Sequence, residues 1–145
     1  MIIVLFLVIT SCKTPTKSNL SIDKKDRKLI CELVLLDSQY LDIILINQTD
    51  YPLQIPPALG ANDFQVYVTN PSGKEIGPGH RNLNLRSEIL DAGKKKIMHL
   101  DYLDFILGVG HGKETGNYKM EFIIEEYGIH EFQQVYYDYE AVTKY

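Results

Sequence analysis

The sequence predicts an all-β fold, one antiparallel β-sandwich with a single short helical turn near residues 102–107. Three observations carry this. Apolar and polar residues alternate with period two in several segments, 64–69, 96–101 and 117–125 among them. Turn residues recur every eight to twelve positions, roughly the spacing of short sandwich strands. No stretch after the N-terminal region carries a long amphipathic helical pattern.

The elements follow in order. Residues 29–36 form a first apolar run, and residues 40–47 (YLDIILIN) a second, apolar on both faces apart from Asp42. That pattern predicts a central or closely flanked strand. Asn47-Gln48-Thr49-Asp50-Tyr51-Pro52 is turn chemistry, because Asn and Asp bond back to nearby backbone. Residues 53–55 make a short strand that Pro56-Pro57 must end. Phe64, Val66 and Val68 then alternate with Gln65, Tyr67 and Thr69. Asn70-Pro71-Ser72-Gly73 gives a tight turn, with a return strand expected at 74–76. Residues 83–90 read as strand or irregular edge.

After the turn at Asp91-Ala92-Gly93, residues 96–101 form a strand with Met98 and Leu100 inward and His99 outward. Asp101 is positioned to cap a helical turn whose inward stripe is Leu100, Leu103 and Leu107. The clearest strand spans 117–125, with Tyr118, Met120, Phe122 and Ile124 on one face. Residues 127–130 are expected to connect it to a last strand over 132–140.

The 145 residues hold one domain. Residues 1–11 read as a signal, 12–27 as a polar tether and 28–143 as the sandwich. A net charge of −4, with Lys and Arg scattered, leaves no basic stripe to neutralise phosphates, which argues against a nucleic-acid partner.

Residues 2–9 (IIVLFLVI) are continuously apolar but rise only about 12 Å as a helix, too short to cross a bilayer. They fit the apolar core of an export signal; a buried N-terminal strand with an incidental Cys is the other reading. Ile9-Thr10-Ser11-Cys12 resembles the lipobox of bacterial lipoproteins. The resemblance implies a diacylglyceryl group on the Cys12 sulfur, cleavage before it, and a membrane as partner through that lipid. Lys13-Thr14-Pro15-Thr16 lacks the acidic run that some lipoproteins carry as a surface-export tag. The expected address is therefore the outer membrane, facing the periplasm. With Cys12 acylated, Cys31 has no second cysteine to bridge to and is expected as a small buried hydrophobe.

Glu114-x-Gly116-x-Tyr118-x-Met120 resembles the tyrosine corner of immunoglobulin-like sandwiches. The resemblance implies that Gly116 permits a sharp corner and that the Tyr118 hydroxyl bonds upstream backbone. It extends over residues 29–142 and implies an Ig-like or fibronectin-III-like fold. A narrower resemblance, over 45–52, 64–76, the Gly93 turn and Gly116-x-Tyr118, is to the BsuPI-like proteinase-inhibitor family. It implies an inhibitory role.

Chemistry-bearing residues are sparse. His80, His99, His111 and His130 pair with no other ligand at a compact spacing, so no metal and no cofactor is expected. Loops meeting at one end of a sandwich could still bring His111 to Glu114 or Asp101. Gly108-Val109-Gly110-His111-Gly112 follows no parallel strand and is a poor phosphate cradle. No catalytic residue is assigned. Candidate binding loops contain Pro56 and Pro57, His80 and Arg81, and His111. The C-terminal tyrosines Tyr136, Tyr137, Tyr139 and Tyr145 read as a contact stripe, although alternation must send one set into the core. The expected role is a non-catalytic envelope lipoprotein that binds or assembles with an envelope protein or a glycan. A periplasmic proteinase inhibitor, or a small enzyme or metal-binding domain, is the competing class.

Overall fold

Period-two alternation becomes two antiparallel sheets over one apolar core in the computed structural model, which describes residues 26–61, 64–77, 85–109 and 112–144. In chain order the strands are β1 (Leu29–Leu35), β2 (Tyr40–Asn47), β3 (Leu53–Ile55), β4 (Phe64–Thr69), β5 (Glu75–Gly77), β6 (Glu88–Leu90), β7 (Lys95–Asp101), β8 (Gly116–Ile124) and β9 (Ile129–Tyr137). Helix α1 (Tyr102–Val109) follows β7, and helix α2 (Tyr139–Thr143) follows β9.

One sheet orders β1-β2-β7, the other β5-β4-β8-β9, and β3 pairs with β6 in a separate ribbon. These positions are those of strands A, B and E, and of C′, C, F and G, in an immunoglobulin-like sandwich. Strand β2 is central in its sheet, as its two-sided apolar pattern predicts. The core takes Leu29, Cys31, Leu41, Ile43 and Leu45 from the first sheet. It takes Phe64, Val66 and Val68 from β4, and Tyr118, Met120, Phe122 and Ile124 from β8. Each such side chain contributes roughly 1.5–3 kcal/mol on burial.

Two asparagines organise the turns. Asn47, fully buried, donates through Nδ2 to the carbonyls of Tyr51 (2.8 Å), Leu90 (2.9 Å) and Asp91 (3.1 Å). Its Oδ1 accepts from the Thr49 amide at 2.9 Å and hydroxyl at 2.7 Å. The β2–β3 turn is thus tied to the β6–β7 turn. Asn70 closes the β4–β5 turn, its Oδ1 accepting from the Lys74 amide at 2.8 Å while Gly73 takes φ +83°.

The Asn70 turn also meets the corner at the start of β8. Glu114 Oε1 accepts from Asn70 Nδ2 at 3.0 Å and from the Ser72 hydroxyl at 3.1 Å. Gly116 holds φ +148°, and a Cβ there would lie 2.9 Å from Pro71 Cγ. The buried Tyr118 donates its hydroxyl to the Glu114 carbonyl at 2.8 Å. Burial pushes the Tyr118 hydroxyl pKa up.

Two expectations change and one open reading is resolved. Helix α1 turns Tyr102 and Ile106 into the core, while Leu103 and Leu107 are half-buried. The stripe is rotated because the Tyr102 amide bonds the Gln39 carbonyl directly at the end of β7. The expected cap is present, with Asp101 Oδ1 accepting from the Asp104 amide at 3.0 Å. Strand β9 begins at Ile129 rather than Phe132, after a 3-10 turn over Glu125–Tyr127 and Gly128 at φ +64°. It ends at Tyr137, and Asp138 caps α2 by accepting from the Ala141 amide. In the ambiguous stretch, only Glu88–Leu90 is strand among the described residues.

Candidate functional site

The pleat of the four-stranded sheet sends every second side chain away from the core, and three neighbouring strands supply one outer face. Register sets its rows. Tyr67, Glu121 and Phe132 lie side by side across β4, β8 and β9, and Thr69, Lys119 and Gln134 form the next row. Asn117 and Tyr136 are register partners beyond it.

Two large rings on this face are uncovered: Phe132 is 62% exposed and Tyr136 58%. Charges around them are matched internally. Lys119 Nζ lies 2.7 Å from Glu121 Oε1, and His130 Nε2 lies 2.7 Å from Glu121 Oε2. The Lys119 hydrogen bond, then that from His130, holds the Glu121 carboxyl below the usual carboxylate range. Lys119 Nζ also stands 5.2 Å from the centre of the Phe132 ring, within cation–π range. At the β4 side the Tyr67 hydroxyl donates to Gln65 Oε1 at 3.0 Å. The face is therefore aromatic at its β9 side and close to neutral in its ion pairs. It offers stacking and hydrogen bonding to an extended partner.

Cys12, His80, Arg81, His111 and Tyr145 lie outside the described residues. Pro56 is buried and Pro57 half-buried, and Lys96 Nζ donates to the Pro57 carbonyl at 2.8 Å. That segment is held against the domain and does not project as a free loop. His99 pairs with Asp42, its cross-strand register partner on the opposite sheet, and His130 pairs with Glu121. Asp101 and Glu114 are engaged separately. Asp101 accepts from Gln39 Nε2 at 2.7 Å and caps α1, whereas Glu114 anchors the Asn70 turn. Among the described residues, no three His, Cys, Asp or Glu side chains gather as a metal site.

The tyrosine stripe divides as the pleat requires. Tyr136 is outward and exposed, Tyr137 is buried, and Tyr139 packs against the core. Sequence reasoning missed Phe132, Lys119 and Glu121 as neighbours of Tyr136. Each was visible as an outward residue of its own strand, but the pairing that brings them together was not. No family model matches the chain, and no curated protein is significantly similar to it.

Proposed function

We propose that the chain is a lipid-anchored, non-catalytic module of the bacterial cell envelope that binds or assembles with a partner through the outer face of its four-stranded sheet. The anchor reading is supported by the apolar run at residues 2–9 and the Ile9-Thr10-Ser11-Cys12 sequence that resembles a lipobox. Acyl chains on Cys12, at roughly 0.8 kcal/mol per buried methylene, would hold the protein at the outer membrane on its periplasmic side. Among the described residues, no helix is long and apolar enough to cross a membrane.

One observation carries the binding role: Phe132 and Tyr136 stand uncovered on a face whose neighbouring charges already satisfy one another. Aromatic rings left in water beside satisfied polar groups are placed for contact, since they give large area at small entropic cost. The partner class is an envelope protein or a glycan, whose sugar rings stack on such platforms. Glu121, His130, His99 and Asp101 are committed to partners within the fold, which supports a contact role over acid–base chemistry.

The test compares the full chain with a Phe132→Ala/Tyr136→Ala variant in capture of envelope extracts and of cell-wall polysaccharide. Loss of a specifically captured protein or glycan in the variant is expected. Equal capture by both would remove this face from the function.

A further inference from the structure

Strand β9 is the outer strand of its sheet, nine residues long, and contains no Lys, Arg or Pro. Edges of that length expose a row of backbone donors and acceptors, and proteins commonly blunt them with such residues or cover them. The edge strand of the other sheet, β1, is hydrogen-bonded to β2, and a cleft of about 340 Å³ lies between residues 31–34 and 131–133. Val34, 41% exposed, and Phe132 stand on its two sides. The Gln134 carbonyl accepts from Gln133 Nε2 at 3.0 Å, a side-chain bond at the strand's open margin.

The two outward aromatic residues of this edge stand symmetrically about Gln134. His130, Phe132, Gln134 and Tyr136 alternate along β9, and Asp138 continues them in extended backbone (φ −107°, ψ 99°). The series runs basic-capable, aromatic, amide, aromatic, acidic. Antiparallel pairing about a two-fold axis sets residue i against residue j and j against i. We infer that β9 pairs with β9 of a second copy of this chain about an axis through Gln134.

In that register each Phe132 faces Tyr136 of the other copy and the two Gln134 amides meet at the axis, while His130 and Asp138 come opposite each other, each already held within its own copy, by Glu121 and by the α2 cap. Two aromatic pairs form, no like charges oppose, and cross-strand aromatic pairs are among the favourable ones in sheets. Centring the axis on Phe132 or Tyr136 leaves a single aromatic pair. The result is one eight-stranded sheet, β5-β4-β8-β9 continued by its symmetry mate, with the two exposed faces merged. This inference does not depend on the lipid anchor.

The test uses the full chain in mild detergent, with the parent chain as baseline for its native Cys12 and Cys31. Gln134→Cys should form a self-disulfide on mild oxidation, because facing antiparallel residues lie about 5.5 Å apart at Cα, within disulfide reach. His130→Cys should stay at baseline, since the two copies of that position lie eight residue steps apart, about 27 Å. Gln134→Lys, which opposes two ammonium groups at the axis, should weaken the dimer about tenfold or more in sedimentation without altering the far-UV spectrum. Equal crosslinking at 130 and 134, baseline crosslinking at 134, or a parent chain that sediments as a monomer at every concentration would overturn the inference.

Discussion

Tyr118 and Tyr137 meet edge to face in the core, their ring centroids 5.3 Å apart at 74°. Each hydroxyl reaches out to backbone, Tyr118 to the Glu114 carbonyl at 2.8 Å and Tyr137 to the Gly112 carbonyl at 3.3 Å. The pair thus ties the chain entering β8 to strands β8 and β9. Burial raises both hydroxyl pKa values, so both stay neutral and donating well into alkaline conditions.

Tyr118→Phe keeps the ring and removes the donor. The Glu114 carbonyl loses its partner, and stability should fall by about 1 kcal/mol in urea denaturation. An unchanged midpoint would show that the bond contributes nothing to the corner.

Gly116→Ala should cost more, roughly 1–3 kcal/mol, since it combines positive φ with a close approach to Pro71. Pro71→Ala in the same chain removes the Cγ at 2.9 Å but keeps the Cβ at 3.1 Å, so it should recover only part of the steric cost and leave the backbone part. If the double variant is no more stable than Gly116→Ala alone, the contact with Pro71 is not the source of the strain.

Asn47→Leu fills a similar volume but strips the carbonyls of Tyr51, Leu90 and Asp91 of their shared donor. The Tyr51 carbonyl keeps the Thr49 hydroxyl at 2.7 Å and the Asp91 carbonyl keeps the Lys94 amide at 3.0 Å, so the buried bond to the Leu90 carbonyl is the main loss and a cost of about 1–3 kcal/mol is expected. Because the three bonds join two turns, hydrogen exchange should quicken in β3 and β6 before the sheets open. Uniform quickening across both sheets would contradict that order.

Acid should weaken the outer face through Glu121. Its folded pKa is depressed, so its contribution is complete above the ordinary glutamate value of about 4.3 and fades as pH falls through the lower folded value. Urea midpoints at pH 7 and pH 3 should therefore differ less in Glu121→Gln than in the parent chain. Identical differences would mean that Lys119 and His130 do not hold the carboxylate in solution.

Cys12→Ala should abolish acylation and leave the protein soluble or unprocessed after cell fractionation. Retention of the variant in the membrane fraction would rule out the lipid anchor.

Local rules carried most of the strand reading. Phe64-x-Val66-x-Val68 and Tyr118-x-Met120-x-Phe122-x-Ile124 place an apolar residue at every second position, and both became strands with that face buried. The turns at Asn47, Asn70 and Gly93 were equally plain, because their chemistry is complete within a few residues. What failed depended on distant partners. The start of β9 was hidden because Glu131 and Gln133 occupy half-buried inward positions, and Glu131 is paired there with Arg27 from before β1. The rotation of α1 was set by a bond to Gln39 in the β1–β2 turn. The outer face was illegible for the same reason. Alternation says that Tyr67, Glu121 and Phe132 point outward, but only the pairing of β8 with both neighbours sets them in one row.

The pairing of β4 with β8 has a kinetic side. Phe64 meets Ile124, 60 positions later, so this ladder cannot close until most of the domain has been made and gathered. Loop closure on that scale slows folding into the millisecond-to-second range typical of sandwiches. Through that interval the side of Phe64–Thr69 that β8 will cover, in a segment uncharged and without Pro, stays unpaired. A chain built this way gains from a chaperone that shields residues 64–69 until β8 arrives.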